Sequence, residues 1–538
     1  MHGAWADARM MTDCVCQTLL TQGRLVRSLT SKSKFVFTWV VYGLVVAWVT
    51  FPSTGLRFRS EAGQILADSP ASVSKEKETS KEAQPASETQ ATAGRSSSVE
   101  SQASAESSST ESDSSTEKGV SRKKRTHTCD IWLSEKMDEA LQLYMWLHAN
   151  PEISFEEKNT AAKLASIWKK AGLEMTTEVG GHGIVGVFRN GEGPTVMLRT
   201  DLDALPVTEE TPLAFASKQT TTAPDGSTTG VMHACGHDIH MTSLTTVVKY
   251  LMSHQDCWSG TLMVIGQPAE ERGAGAKAML EDGLFKRFPK PDYALAAHVS
   301  GDTPVGQVGL RAGFSLANVD SVDITMKGRG GHGSQPHNTT DPIVQAAQLV
   351  MSLQMIVARE VAPIEPAVVT VGSIHGGTKH NIIGNDCKLQ LTVRSYDQGV
   401  RQQVLSAIRR RTLAVAQSYD APEPEIVISE GTPSLKNDTE LTVRIRRVLG
   451  KRLGAENIVD DEPSMGGEDF SRYGIAGVPI LMYRVGTVQG ARLERFEKLG
   501  VPPPSLHSSR YYPDAEPTLE VAFRAMVAAV LELMPPRR

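Results

Sequence analysis

The chain has 538 residues, of which 40% are apolar and 22% charged, and its formal net charge is −5. This near-neutral charge argues against a dedicated nucleic-acid-binding protein, which would carry a basic surface. The composition also excludes collagen-like, coiled-coil and disulfide-dense proteins.

The N-terminal segment carries a targeting pattern. Residues 1–34 form a basic tail, and residues 35–51 (FVFTWVVYGLVVAWVTF) form an uncharged apolar run. The run is longer than a usual signal-peptide core and slightly shorter than the roughly 20 residues that span a bilayer. A signal anchor that tethers the protein to a membrane, a cleaved signal peptide and a buried helix of a soluble domain all remain open. The basic residues before the run favour the secretory pathway, with a lumenal or extracellular body.

Residues 52–127 are rich in Ser and Glu. Between residues 61 and 127 there is no Phe, Trp or Tyr. Such a stretch buries too little apolar surface to offset the entropy lost when a chain becomes ordered. We therefore predict a disordered linker over residues 52–127 and a folded part over residues 128–538.

The folded part has the pattern of an α/β protein that is interrupted by a second domain. Strands and helices alternate through residues 128–317, which is typical of a mostly parallel sheet covered by helices. Residues 318–430 follow a β-α-β-β-α-β order, which predicts a small inserted α+β domain, and residues 431–538 return to the first pattern. The predicted strands lie at residues 184–188, 195–198, 261–265, 293–297, 321–326, 367–371, 388–393, 425–428 and 478–483, and the predicted helices at residues 133–146, 156–171, 239–252, 342–359, 398–419 and 516–533.

Pairs of carboxylates follow two of the predicted strands. Asp201 and Asp203 come after one strand, and Glu270 and Glu271 after another. Ligands of open α/β sheets bind outside the carboxyl ends of the strands, so these pairs should converge. Adjacent carboxylates repel each other unless a cation or different roles separate them. One can then bind a metal while the other acts as a general base. For the first pair alone, a turn with solvated carboxylates is the simpler interpretation.

The segment HACGHDIH, residues 233–240, holds three histidines and a cysteine at the start of a predicted helix. Cys235 and His237 can face one cation, because Gly236 lets the backbone approach closely. Thiolate and imidazole are the donors that suit zinc and neighbouring metals. The sequence therefore favours a metal site over a cluster of buried core residues.

Two further histidines lie in comparable places. His298 ends a predicted strand, and His507 precedes the last helix in the segment SLHSSR. Each alone would more often be a structural histidine. Together with the earlier donors they suffice for two metal ions whose open positions are filled by water.

The segments DLDALP, HACGHDIH, QPAEE and LHSSRYYPDA, together with the histidine at a strand end, resemble the aminoacylase/carboxypeptidase family of metallo-exopeptidases. The chain looks most similar to its amidohydrolase branch, which contains hippurate hydrolases, N-acyl-amino-acid hydrolases and plant auxin-conjugate hydrolases. Exopeptidase members typically have a histidine where this chain has Asp201, and this chain has the Cys-Gly-His element. The resemblance covers residues 133–533 and implies a zinc-exopeptidase-like α/β domain with an inserted dimerisation (lid) domain.

The resemblance also implies roles for the candidate side chains. Glu270 would be the general base, and Asp203 would support the metal cluster from behind. The metals would be two divalent ions per subunit, zinc or manganese, with cobalt and nickel as further options. The implied metal ligands are Cys235, His237, Glu271, His298 and His507.

The lid would contribute three more residues. In relatives, the histidine that corresponds to His332 reaches the active site of the neighbouring subunit and stabilises the oxyanion. The resemblance therefore implies a homodimer formed through the lid. Asn381 and Arg394 resemble residues that hold the free carboxylate of the substrate. Without the resemblance, His332 is a histidine in a Gly-rich turn and Arg394 a charge at a strand edge.

The sequence thus predicts a metal-dependent hydrolase that cleaves the amide bond of small N-acyl or N-aminoacyl amino acids. One alternative is a dipeptidase or carboxypeptidase on the same scaffold. Another is a catalytically silent, membrane-tethered binding protein. No motif indicates a nucleic-acid partner.

Overall fold

The computed structural model describes residues 115–223 and 225–537. The basic tail at residues 1–34, the apolar run at residues 35–51 and the linker up to residue 114 lie outside the described residues. Among the helices in the described part of the chain, none combines the length and the apolar character of a membrane span. All described residues belong to one unit, Ser108–Arg538.

The elements alternate as the sequence predicts, with further elements that it did not predict, of which the longest is the helix Thr439–Leu453. The helices are α1 (Ser115–Ala149), α2 (Lys158–Ala171), α3 (His237–Ser253), α4 (Gly275–Glu281), α5 (Leu284–Arg287), α6 (Pro342–Arg359), α7 (Gln398–Ser418), α8 (Thr439–Leu453), α9 (Ser471–Ile475), α10 (Gly490–Leu499) and α11 (Ala515–Leu533). The strands are β1 (Glu174–Thr176), β2 (Ile184–Asn190), β3 (Thr195–Asp201), β4 (Thr220–Thr222), β5 (Thr228–Gly230), β6 (Gly260–Gln267), β7 (Tyr293–Pro304), β8 (Val308–Leu310), β9 (Gly313–Leu316), β10 (Asn318–Lys327), β11 (Gly331–His332), β12 (Ala367–Gly376), β13 (Ile382–Ile383), β14 (Asp386–Ser395), β15 (Glu425–Glu430), β16 (Leu435–Asn437), β17 (Ile458–Asp460) and β18 (Ile480–Val488).

Helix α1 corrects one prediction. It begins at Ser115, so residues 115–127, predicted as the end of a disordered linker, are helical. The prediction was wrong there because it weighed apolar content alone. From Cys129 and Leu133 onward, α1 packs into the core. Once that part is helical, each preceding residue can add a hydrogen bond without a new nucleation step, and Glu, Lys and Arg favour the helix.

An eight-stranded sheet supports the larger domain, in the order β1-β2-β6-β3-β7-β18-β8-β17. The central pairs β6–β3, β3–β7 and β7–β18 are parallel. Val196 and Leu198 of β3 pack with the core that includes α1, α2, α3, α8 and α11. Met197, between them, packs on the opposite face with residues of α4, α5 and α9. The predicted mostly parallel sheet, covered by helices, is therefore confirmed.

The insertion has its own sheet and core. Its strands follow the antiparallel order β12-β14-β10-β15, beginning at Asn318 and ending at Glu430. Helices α6 and α7 pack on this sheet around Val322, Ile324 and Leu391. The order β10-α6-β12-β14-α7-β15 is the predicted β-α-β-β-α-β pattern, so the inserted α+β domain is also confirmed. This insertion is called the lid below.

The carboxyl ends of the central strands bring the chemical motifs together. β3 ends at Asp201, β6 at Gln267, and His298 lies on β7 between them and β18. Helix α3 begins directly after Gly236, which has a φ of 74°. A side chain there would place its Cβ 2.7 Å from Val299 Cγ2. Only glycine therefore lets the segment before α3 lie this close to β7.

A buried tryptophan tests the packing of the larger core. Trp168 of α2 is fully buried, and its Nε1 donates to Thr245 Oγ1 at 3.1 Å. We expect Trp168→Ala to lower the free energy of unfolding by about 3–5 kcal/mol, because it leaves a cavity and an unpaired hydroxyl. Urea denaturation measures this. The exposed neighbour Ser166 gives the control, since Ser166→Ala should change stability little. Equal free energies of unfolding for the two variants would contradict the assignment of Trp168 to the packed core.

Candidate metal centre

The five side chains that the sequence predicts as metal ligands lie together at this edge of the sheet. Ligand atoms of Cys235, His237 and His298 lie within 4.8 Å of one another, and so do those of Cys235, Glu271 and His507. Cys235 belongs to both groups: its Sγ is 3.6 Å from His298 Nε2 and 3.3 Å from His507 Nε2. Two donor sets that share a sulfur suit two cations. The ligand roles themselves stay predictions.

Hydrogen bonds orient two of the imidazoles. His237 Nδ1 donates to the backbone oxygen of Asp203 at 2.8 Å, and His298 Nδ1 donates to the backbone oxygen of Val299 at 2.8 Å. With each Nδ1 used as a donor, each Nε2 keeps a lone pair that faces the cluster. His237 Nε2 is buried and has no hydrogen-bond partner among the described residues. A metal ion would satisfy it.

The charges of the cluster fit a cation as well. Burial raises the pKa of Cys235 well above its ordinary value and raises that of Glu271 to about 7. Burial also raises the pKa of Glu270, to which the neighbouring Glu468 adds. Acidic groups packed this closely in a low-dielectric environment need a positive charge to be anionic together. Sulfur, nitrogen and oxygen donors are the set that zinc and its neighbours accept.

Asp203 lies behind the cluster and connects its loops. Its Oδ2 accepts hydrogen bonds from Ser154 Oγ at 2.7 Å and from the backbone N–H of Glu271 at 3.0 Å. Its Oδ1 is 3.5 Å from His237 Nδ1. This carboxylate contacts one predicted ligand and the backbone of another, and its supporting role stays a prediction.

Glu270 lies beside the predicted ligands. Its Oε2 is 3.9 Å from His237 Nε2, and the side chain is largely buried. It also approaches Glu468 and Asp469, with ligand atoms within 4.8 Å. The carboxylate thus lies beside the donor cluster, and its role as general base stays a prediction.

His507 lies on the open side of the cluster. Its side chain is 56% exposed, whereas that of Glu271 is 10% exposed. Its φ is 67°, which is uncommon for a residue with a Cβ. The backbone N–H donates to Ala234 O at 2.9 Å and so holds this strained loop against the Cys235 segment. The cluster is thus accessible from the side of His507.

A buried arginine network was missed by the sequence analysis. Arg199 Nη1 donates to Asp201 Oδ2 at 2.8 Å, and Nη2 donates to Glu468 Oε1 at 2.9 Å. Asp201 Oδ1 accepts from His240 Nδ1 at 2.8 Å, and His240 Nε2 accepts from the backbone N–H of Val299. The Asp201 carboxylate and the His240 imidazole therefore already have hydrogen-bond partners outside the five predicted ligands. The sequence signal was available, because an arginine at the end of a buried strand requires carboxylate partners.

The three predicted lid residues lie apart from the donor cluster. His332 and Asn381 are exposed, and within the described residues no hydrogen bond or ion pair joins either to the cluster. Arg394 is half-buried, and its Nη1 donates to Met465 O at 3.4 Å. Arg394 thus lies where the lid meets the segment that carries Glu468. One subunit alone does not bring His332 to its own cluster.

A buried histidine between two acids lies behind the cluster. His148, near the end of α1, contacts Asp238 Oδ2 through Nδ1 at 2.7 Å and Glu209 Oε1 through Nε2 at 3.0 Å. Burial alone would lower the pKa of His148, but the two carboxylates outweigh it and raise the pKa to about 9. The triad ties α1 to the start of α3 and to the loop that carries Glu209.

Comparison with known proteins gives one family. The profile of Peptidase family M20/M25/M40 matches residues 197–497. Thermostable carboxypeptidase 2 of Saccharolobus solfataricus is 36% identical over 71% of this chain and 93% of its own length. Hippurate hydrolase of Campylobacter jejuni is 38% identical over 60% of this chain and 82% of its own length.

A solved structure gives the same likeness in three dimensions. The crystal structure of a dinuclear metal binding peptidase of the M20 family from Bacillus subtilis is 29% identical. The match has a TM-score of 0.61 and covers 74% of this chain and 98% of the other. The similarity spans both the larger domain and the lid.

The His148 triad predicts a pH dependence of stability. Its folded pKa of about 9 lies above the ordinary value of 6.5. The contribution of the protonated His148 to the free energy of unfolding is complete below pH 6.5. It is lost as the pH rises to about 9, because the neutral histidine no longer pairs with both carboxylates. We expect a loss of about 3 kcal/mol over this range in the wild type. His148→Gln, which cannot titrate, is the control in urea denaturation at each pH. Parallel pH curves for the two proteins would disprove the prediction.

Proposed function

The chain belongs to Peptidase family M20/M25/M40 and is a hydrolase of amide bonds, and we propose that its substrates are N-acyl amino acids. One observation carries the mechanistic part of the proposal. Two three-donor groups share Cys235, and the buried Glu270 lies beside them. Relatives named hippurate hydrolase and N-acetyl-L-cysteine deacetylase support the acyl-amino-acid class.

The donor groups define where two divalent ions would be held. Cys235, His237 and His298 would hold one, and Cys235, Glu271 and His507 the other. Ions in such sites lower the pKa of water and polarise the carbonyl of a substrate. Zinc suits the sulfur and nitrogen donors, and manganese is the next candidate. The Bacillus subtilis structure, described as dinuclear, supports the number of two.

Glu270 supplies the proton transfers. In the proposed reaction its carboxylate takes a proton from the attacking water and delivers it to the leaving nitrogen. The hydrogen bonds of His237 and Asp203 keep the surrounding donors in place during this transfer. Arg394 and Asn381 would bind the free carboxylate of the substrate, which distinguishes an acyl amino acid from a simple amide.

His332 would act from the other subunit of a homodimer. Five large apolar side chains of α6 are exposed, and β12 is an edge strand of the lid sheet. An apolar helix face beside an open strand edge suits pairing with a second copy of the lid. In such a dimer, His332 could donate to the oxyanion that forms in the partner site. The exposed large apolar side chains of α6 are Ile343, Val344, Met351, Met355 and Val357.

A carboxypeptidase is the second candidate. It is favoured by the similarity to two thermostable carboxypeptidases of Saccharolobus solfataricus, each 36% identical. Both reactions use the same donors and the same base, so turnover decides between them. Faster hydrolysis of dipeptides than of N-acetyl and N-benzoyl amino acids would favour the peptidase. The silent binding protein has no support, because the donors and Glu270 lie together.

The base assignment is tested by Glu270→Gln, which keeps the shape and removes the proton acceptor. We expect kcat for N-benzoyl amino acids to fall by about 10²–10⁴-fold, while elemental analysis still finds both metals. Glu281 is exposed on α4, so Glu281→Gln is the control and should keep full activity. A Glu270→Gln protein with both metals and normal turnover would show that another group is the base.

The dimer assignment is tested by mixing two inactive variants. If His332 acts across the interface, Glu270→Gln and His332→Ala each inactivate both sites of a homodimer. A mixed dimer then contains one site with both wild-type residues. Subunit exchange should restore about a quarter of the wild-type activity, because half of the dimers are mixed and each has one intact site. If His332 acts in its own subunit, the mixed dimer has no intact site and activity stays absent.

A further inference from the structure

The candidate metal centre is contacted by a segment that lies before the region matched by the family profile. That match begins at residue 197. Residues 148–157, which comprise the end of α1 and the connection to α2, nevertheless contact the loop of Asp203, the start of α3 and the turn that carries Glu270 and Glu271. We call these ten residues the HANPEISFEE segment, after their sequence.

The first contact is to the loop that carries Asp203. Ser154 Oγ donates to Asp203 Oδ2 at 2.7 Å, and the serine is buried. The backbones of the two segments are also in contact. The N–H of Ala204 donates to Glu152 O at 2.8 Å, and Ile153 forms a parallel bridge with Ala204. The segment is thus fixed to this loop by side chain and main chain together.

The second contact is to the start of α3. His148 holds Asp238, the residue after the predicted ligand His237, in the buried triad with Glu209. The side chains of all three are at most 2% exposed. The first turn of α3 therefore has a buried hydrogen-bond partner in α1.

The third contact is to the turn that carries Glu270 and Glu271. Glu157 Oε1 accepts the backbone N–H of Ala269 at 2.7 Å and that of Phe155 at 2.8 Å. Ala269 has a φ of 49° and Phe155 a φ of 69°, and both values are unfavourable for residues with a Cβ. One carboxylate oxygen of the buried Glu157 therefore binds two strained residues, Phe155 in the HANPEISFEE segment and Ala269 in the turn before Glu270.

The position of Ala269 gives this contact its importance. Ala269 directly precedes Glu270 and Glu271, and it is fully buried. The left-handed conformation turns the chain sharply after β6, and the directions of the next two side chains depend on it. A residue in such a conformation persists only where its surroundings hold it.

We propose that the HANPEISFEE segment is a positioning element of the metal centre, in which Glu157 fixes the turn that aims Glu270 and Glu271. This inference rests on the proposed two-metal site and names residues that act through others. Ser154 does the same for Asp203, and His148 for the start of α3. None of the three contacts the substrate or a metal itself.

The experiment compares variants of the full-length protein. Glu157→Ala removes the acceptor of the Ala269 N–H, whereas Glu157→Gln keeps a carbonyl oxygen there. Ser154→Ala removes the hydroxyl that binds Asp203. Glu156 is exposed and adjacent, so Glu156→Ala is the matched control. Zinc affinity is measured by competition with a chromophoric chelator, kcat and KM with N-acetyl amino acids, and folding by thermal melting.

We expect Glu157→Ala and Ser154→Ala to lower zinc affinity and kcat by about 10–100-fold, as loss of an outer hydrogen-bond partner does. KM should change little, because substrate contacts are intact. Glu157→Gln and Glu156→Ala should match the wild type in every measurement. If Glu157→Ala does not fold, Ser154→Ala decides the question.

Two results would overturn the inference. One is a folded Glu157→Ala or Ser154→Ala protein with wild-type zinc affinity and kcat. The other is an equal loss in Glu157→Gln and Glu157→Ala, since the hydrogen bond would then not be the cause. Failure of the proposed substrate is distinguishable, because the zinc affinities report on positioning even when no acyl amino acid is hydrolysed.

Discussion

Asp203 joins the segments on which the metal centre depends. Its backbone oxygen accepts from His237, and its carboxylate accepts from the N–H of Glu271 and from Ser154. A buried carboxylate requires such donors, since burial without them would be costly. The need of one group for hydrogen bonds therefore fixes three separate stretches of the chain against one another. The carboxyl ends of β3, β6 and β7 supply the frame in which this can occur.

Much of the fold could be predicted because its long elements carry clear periodicity. Helix α6 and the nine predicted strands begin within a few residues of their predicted positions. The short strands β1, β8 and β17 were not predicted, because three residues carry no period. Helix α8 was missed although Asp438 caps it by accepting from the N–H of Leu441, a signal that the sequence does contain.

The candidate site, like the fold, could be predicted from the sequence only in part. The donor groups could be proposed from the sequence because thiol, imidazole and carboxylate side chains are concentrated after β6, on β7 and at the start of α3, and their ligand roles stay predictions. The groups that hold them could not, since hydrogen bonds such as that of Arg199 to Glu468 join residues 269 positions apart. Glu157 was treated as part of a helix start, and only the structure brings it to Ala269. Sequence identifies reactive groups, whereas folding determines their partners.

The sharing of Cys235 by both donor groups has a consequence for redox chemistry. Oxidation of a single sulfur would remove a donor from both groups at once. Burial keeps the free thiol protonated, and a protonated thiol reacts slowly with oxidants. All four cysteines in the described part of the chain are buried. Before metal binding, therefore, burial protects the one atom on which both groups depend.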